Sequence, residues 1–164
     1  MIKRTGCALL LIAMVALCGV LQAQAPKTFT VKVFDGHTGT KIIPDNVEVF
    51  INRSKTSHVE WVKMNDDGTA QVTLPADANA VAVRVSYNSS MDYYVNCDSS
   101  SQKDPTSASW YPLADIVSSG VAMPNECIKP KAKPKDIDRV KIAAKPGEFV
   151  LFVRKETLRD RLQD

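Results

Sequence analysis

Between residues 28 and 87 apolar side chains recur at every second position, and a chain with that period builds strands that bury one face each. Phe29, Val31 and Val33 share one face, Val47, Val49 and Ile51 a second, and Val81, Val83, Val85 and Tyr87 a third, while Lys32, Glu48 and Arg84 point the opposite way. Such faces need a second sheet to close against. Turn-forming clusters punctuate the pattern about every ten residues, as two stacked sheets require: Asp35-Gly36 with Gly39, Pro44-Asp45-Asn46, Asn65-Asp66-Asp67-Gly68 and Pro75-Ala76-Asp77. The pattern predicts an all-β fold, a Greek-key β-sandwich of immunoglobulin-like architecture. Residues 59–64 and 69–74 read as a hairpin around the 65–68 turn. An EF-hand calcium loop would need oxygen ligands spread over about twelve positions and closed by a glutamate. Nothing suitable follows Gly68, so the acidic cluster reads as turn chemistry.

After Tyr87 the period is lost. Tyr93-Tyr94-Val95 reads as a short strand leading into Cys97, and residues 98–109 are polar and aperiodic, as in a surface loop. Trp110, Leu113, Ile116 and Val117 follow at near-helical spacing, with Pro112 in a first turn and Gly120 placed to end it, which predicts a short helix or an irregular crossover. Residues 129–135 alternate lysine with proline and alanine, a composition that favours an extended, solvated connector. Residues 140–142 and 148–154 read as a closing hairpin around Lys145-Pro146-Gly147. Its second strand, Phe149-Val150-Leu151-Phe152-Val153, is apolar on both faces and so belongs in the middle of a sheet.

The amino-terminal end has the three parts of a secretory leader: Lys3 and Arg4, an apolar run from Cys7 to Leu21, and small residues at Ala23 and Ala25. Pro26 disfavours cleavage after Ala25, so the mature chain is expected to begin at Gln24. The apolar run is shorter than the ~20 residues of a membrane span. Leu17 before Cys18 gives no lipid-attachment site. Residues 1–23 take with them two of the 21 basic residues and none of the 18 acidic ones, leaving a net charge of +1 and no electrostatic argument for nucleic acid. The 141 residues that remain suit one domain. They retain Cys97 and Cys127, which in an oxidising compartment are expected to pair. That bridge closes a loop of about 31 residues and contributes roughly 3 to 4 kcal/mol in the chain-entropy account.

The run Val31-Lys32-Val33-Phe34-Asp35-Gly36-His37-Thr38-Gly39-Thr40-Lys41-Ile42-Ile43-Pro44, followed by Val47-Glu48-Val49, Asn65-Asp66-Asp67-Gly68 and Leu74-Pro75, resembles the opening of carboxypeptidase-regulatory-like domains, part of the prealbumin-like (transthyretin-like) sandwich group. The likeness covers residues 28–87 and rests mainly on turn chemistry. The later segments 110–127 and 146–154 are similar to exported bacterial proteins in which a comparable domain stands alone. This implies a periplasmic or cell-surface location and no particular activity. In a bacterium the sequons at Asn52 and Asn88 carry no meaning; in a eukaryotic secretory pathway both would be glycan sites.

Two enzyme families share the prealbumin-like architecture, and neither family's site residues match this chain. The ureide hydrolases use histidines and an arginine and end in Tyr-Arg-Gly-Ser, whereas this chain ends Arg161-Leu162-Gln163-Asp164. Intradiol dioxygenases hold iron with two tyrosines and two histidines; here the only histidines are His37, in a turn, and His58, beginning a strand. Neither forms a pair at ligand spacing. No Ser or Cys stands in a recognisable nucleophile motif. The carboxylate pairs Asp66-Asp67 and Asp136/Asp138 fall in turns or at an exposed strand start, where solvation leaves acid-base strength ordinary.

Two features remain as contact candidates. Lys129, Lys131, Lys133 and Lys135, extended by Arg139, Lys141 and Lys145, form the densest positive run, either a soluble connector or a contact for phosphate-bearing polymer. Tyr93, Tyr94, Trp110 and Tyr111 flank the disulfide-closed segment and either line a groove or cover the core. The sequence therefore predicts a leader over 1–23 and one β-sandwich domain over 24–164. Within it lie a carboxypeptidase-regulatory-like core at 28–87, a disulfide-pinned crossover at 97–127, a connector at 129–135 and closing strands at 137–154. The expected function is that of a secreted, non-enzymatic envelope module, without cofactor or membrane span after cleavage, binding a protein or glycan. A small hydrolase or metal-dependent enzyme on the same scaffold is the competing expectation.

Overall fold

The computed structural model describes residues 27–53, 59–86, 93–97, 109–128, 137, 140–158 and 162. In chain order the elements are β1 (Lys27–Asp35), β2 (Asn46–Ile51), β3 (Val59–Lys63), β4 (Thr69–Leu74), β5 (Ala80–Ser86), β6 (Tyr93–Val95), β7 (Tyr111–Pro112), α1 (Leu113–Ser119), β8 (Val121–Ala122) and β9 (Glu148–Lys155). The strands form two sheets, ordered β4-β1-β9-β6 with β8 also on β9, and β3-β2-β5-β7. Both send side chains into one apolar cluster: Phe29, Val31, Val33, Phe149 and Leu151 from the first, Val47, Val49, Val81 and Val83 from the second. The all-β reading holds, and the leader lies outside the described residues.

The period of two is kept where a strand has one wet face. In β4, buried Ala70, Val72 and Leu74 alternate with exposed Gln71 and Thr73. It lapses in β9, where all five residues from Phe149 to Val153 are buried, as its apolar composition predicts. One edge of β9 pairs with β1 in parallel; the other is shared by β8, parallel, and β6, antiparallel. The first and last of the described strands thus lie side by side.

Two expected hairpins do not form. Residues 59–64 and 69–74 fall in different sheets, β3 on β2 and β4 on β1, so the 65–68 turn carries the chain from one layer to the other. Met64, 4% exposed, is buried at that corner and its N–H donates to Asp45 O at 3.1 Å. Residues 141–145 are not a strand, because β1, β6 and β8 already occupy both hydrogen-bonding edges of β9. Pro146-Gly147 still turns the chain there, with Glu148 N–H on Lys145 O at 2.8 Å.

The crossover reading fares better. A disulfide joins Cys97 to Cys127, Cα atoms 5.2 Å apart. Within the loop it closes, β7 adds to one sheet and β8 to the other, and α1 joins them while lowering Leu113 and Ile116 into the core. Gly120 ends the helix at φ 77, and a Cβ there would lie 2.1 Å from Lys145 O. Only glycine satisfies both the left-handed turn and the close approach.

Candidate functional site

Of the four aromatic residues picked out from the sequence, two are buried and two half-buried. Tyr93 and Tyr94 are 7% and 4% exposed. Tyr93 joins the core, and Tyr94, on the opposite face of β6, lies under the Arg154 guanidinium at 4.9 Å and donates to Glu156 Oε1 at 3.2 Å. Tyr111 meets Phe149 edge-on, centroids 5.1 Å apart, and burial pushes its phenol above the ordinary range. Trp110 is half-buried. These rings cover core and do not make one open face. Lys129, Lys131, Lys133 and Lys135, together with Arg139, His58, Asp136 and Asp138, lie outside the described residues.

The 65–68 turn consumes its own acidic chemistry. Asp67 accepts from the N–H of Thr69 at 3.0 Å and from its hydroxyl at 2.7 Å, and these bonds hold its carboxyl below the ordinary range.

At one end of the layers His37 stands beside the disulfide, its Nδ1 3.8 Å from Cys97 Sγ. One donor atom each from His37, Cys97 and Cys127 lie within 4.8 Å of one another. His37 belongs to a tight turn in which Asp35 Oδ1 accepts from the N–H groups of His37 and Thr38 at 2.9 and 2.7 Å. Gly36 lies flat against the bridge, since a Cβ there would stand 2.3 Å from Cys127 Sγ.

A second constellation lies on the outer face of the β3-β2-β5-β7 sheet. Glu48 pairs in register with Trp61 on β3 and with Arg84 on β5. Its carboxylate is 3.0 Å from Arg84 Nε and 2.6 Å from Nη2, and Arg84 also lies 5.7 Å from the centre of the Phe50 ring. Glu48 is 3% exposed, whereas Trp61 is 58% exposed. Two residues along β3 begins a shallow groove of about 330 Å³, lined by Ile43, Pro44, Asp45, Asn46, Lys63 and Asp66. Ile43 is itself 50% exposed. An open indole, an apolar ledge and several hydrogen-bonding groups therefore share one surface.

Comparison with family models, curated proteins and solved structures finds no match to this chain.

Trp61 and the His37–disulfide group were both missed in the sequence. Trp61 could have been found from its register: if Val62 joins the inner row with Val47, then Trp61 must face outward. Nothing local announces that His37 meets cysteines 60 and 90 positions away in the sequence. Asn52 has a structural role that its sequon does not announce. Sitting at φ 61, it donates to Asp77 O at 3.3 Å and accepts from Asn79 N–H at 2.8 Å, so its side-chain amide ties two turns together.

Proposed function

We propose that the chain is an exported, non-enzymatic binding module of a bacterial envelope, a Greek-key β-sandwich of carboxypeptidase-regulatory-like or prealbumin-like type. It holds a glycan against Trp61 and the neighbouring groove. The observation that carries this reading is Trp61 itself, 58% exposed on a sheet face two residues along β3 from Lys63, which lines the groove with Asp45, Asn46 and Asp66. A sugar ring offers an apolar C–H face for the indole and hydroxyls for the polar groups, and small-ligand sites commonly combine an apolar wall with a few placed polar groups. The groove volume of about 330 Å³ is at the small end of the range for such sites. A small metal-dependent enzyme is the second reading, favoured by His37 beside the cysteines.

The test is retention of the chain from Gln24 onward on immobilised envelope polysaccharide, with tryptophan fluorescence reporting occupancy. Trp61→Ala should weaken retention at least roughly tenfold, the effect of losing one well-placed aromatic contact, while Trp110→Phe should leave it unchanged. Equal retention of wild type and Trp61→Ala sinks the glycan site. Capture of a protein through Trp61 with no polysaccharide retention replaces the glycan with a protein partner.

A further inference from the structure

The end of the fold where His37 meets the bridge holds a donor set that the binding function does not use. We infer that Cys97, Cys127 and His37 form a redox-gated site for a thiophilic d10 cation of the zinc type, closed while the disulfide is intact and opened when it is reduced. The inference goes beyond the glycan reading and does not depend on it.

Geometry comes first. Tetrahedral zinc with Zn–S of about 2.3 Å and Zn–N of about 2.0 Å sets an S···N edge of about 3.5 Å and an S···S edge of about 3.8 Å. The His37 Nδ1–Cys97 Sγ distance is already 3.8 Å, and all three donor atoms lie within 4.8 Å. Once the S–S bond is gone, the two sulfurs must separate and the imidazole must close on Cys127 by no more than about 1.3 Å, from within 4.8 Å to a tetrahedral edge.

The three residues are also held by bonds that survive reduction. Gly36 N–H donates to Val153 O at 2.8 Å and Asn96 N–H to Phe152 O at 2.9 Å, anchoring both flanking turns to β9. Cys97 N–H reaches Tyr94 O at 3.3 Å. On the third segment Asn125 Nδ2 donates to Gly36 O at 2.9 Å and its Oδ1 accepts from Cys127 N–H at 3.2 Å. The bridge is therefore not alone in bringing the donors together.

Two further features mark this turn. Asn96 and Cys97 sit at φ 52 and φ 61, a region that residues other than glycine rarely adopt unless their surroundings impose it. Asn96 Oδ1 is buried with no hydrogen-bond partner among the described residues, leaving a spare acceptor at the same turn. Burial is graded, with Cys127 buried, Cys97 half-buried and His37 exposed. A cation would be gripped from inside and left an outer position for water.

Donor chemistry selects the cation. Two thiolates and a neutral imidazole carry a charge of −2 and are soft, which suits zinc and disfavours magnesium or calcium. The chemistry balances with a dithiol as reductant. The dithiol gives two electrons and two protons and closes to its own disulfide, while the Cys97–Cys127 S–S bond breaks to two thiols. Zinc then displaces one proton from each thiol and forms two Zn–S bonds and one Zn–N bond.

The experiment uses the chain from Gln24 onward, oxidised and after phosphine reduction, titrated with Zn²⁺ against a chromophoric chelator and with Co²⁺ as a spectroscopic probe. Near-ultraviolet dichroism monitors the fold. The reduced chain should take up one equivalent of Zn²⁺, show a thiolate-to-cobalt charge-transfer band, and melt at a higher temperature with zinc than without. The oxidised chain and the Cys97→Ser/Cys127→Ser variant should do none of these. His37→Gln keeps the bridge and the fold, and after reduction should bind zinc at least roughly tenfold more weakly, no less than the loss from disturbing an outer-shell partner. Three results overturn the inference: no zinc uptake by the reduced chain, equal affinity in His37→Gln, which would leave two thiols acting without the folded site, or calcium bound as well as zinc.

Discussion

On the outer face of the β4-β1-β9-β6 sheet, Phe152 is 2% exposed and lies 6.5 Å from the Phe34 ring on the neighbouring strand; on the outer face of the β3-β2-β5-β7 sheet, Trp61 is 58% exposed. Both are large aromatic residues at outward positions. They differ in where their strands lie. Among the described residues β9 has β1 on one side and β6 and β8 on the other, whereas β3 pairs with β2 alone and so stands at an edge. On an interior strand an outward aromatic is covered by neighbours and becomes structure, and on an edge it stays available to a partner. The ion pairs follow suit in reverse. Glu148 with Lys32 on the first sheet keeps 18% and 26% of its side chains exposed, while Glu48 with Arg84 on the second is nearly closed at the carboxylate, 4% against 24%.

The largest test of this contrast is Phe152→Ala. Emptying a covered position should cost about 3 to 5 kcal/mol in urea unfolding, the range for buried aromatic truncations. A loss below about 1 kcal/mol would mean that the face is covered only loosely, and the distinction between the two sheets would fail.

Next in size is Arg84→Met. It leaves the Glu48 carboxylate, 3% exposed, without the guanidinium at 2.6 Å, and stranding a buried charge costs several kcal/mol. Because Arg84 is itself partly in water, about 2 to 3 kcal/mol is the expected loss. The double variant Glu48→Met/Arg84→Met should recover most of it, since two apolar side chains on a largely covered face need no ionic partner. A double variant no more stable than Arg84→Met would show that the pair contributes through something other than mutual neutralisation.

Legibility in the sequence divides along the same line. Phe29, Val31 and Val33, or Ala70, Val72 and Leu74, announce strands with one wet face because the other face carries threonine, lysine or glutamine. The central place of β9 was legible because five successive apolar residues have nowhere else to go. Pairing was less so. The 65–68 cluster has the chemistry of a turn whether the chain folds back within a sheet or crosses to the other, and the choice depends on which edges β1 and β2 leave open. Glu48 was legible as outward-facing but not as buried, since its ion-pair partner is Arg84, 36 residues away. Trp61 was ambiguous because both Trp61 and Val62 are apolar, and only pairing with Val47 settles which faces inward.

Lys32→Met on the first sheet should do less, under about 1 kcal/mol, as for partly solvated pairs. Its signature lies in pH. The Lys32 ammonium, 2.5 Å from Glu148 Oε1, is the main reason the Glu148 carboxyl is held below the ordinary glutamate range, with the Lys145 N–H adding to it. A carboxyl more acidic folded than unfolded stabilises the protein above its unfolded pKa, and that contribution fades as pH falls through the folded value. Lys32→Met should move the Glu148 titration, followed by carbon NMR, upward toward the ordinary range and flatten the acid side of the stability profile. An unmoved titration would remove Lys32 as the cause.

The smallest expected effect on stability is the most telling for function. Trp61 lies across β2 from Arg84 with Glu48 between them, so its indole has two competing roles, as a lid over the carboxylate or as a free contact surface. A lid would show in stability, because its loss wets a buried ion pair. A contact surface would show only in binding. With 58% of the residue in water, Trp61→Ala should change the unfolding free energy by less than about 0.5 kcal/mol while reducing polysaccharide retention. The opposite result, a loss above about 1 kcal/mol with retention intact, assigns the indole to covering Glu48 and leaves the outer face of this sheet without the feature that recommends it as a glycan platform.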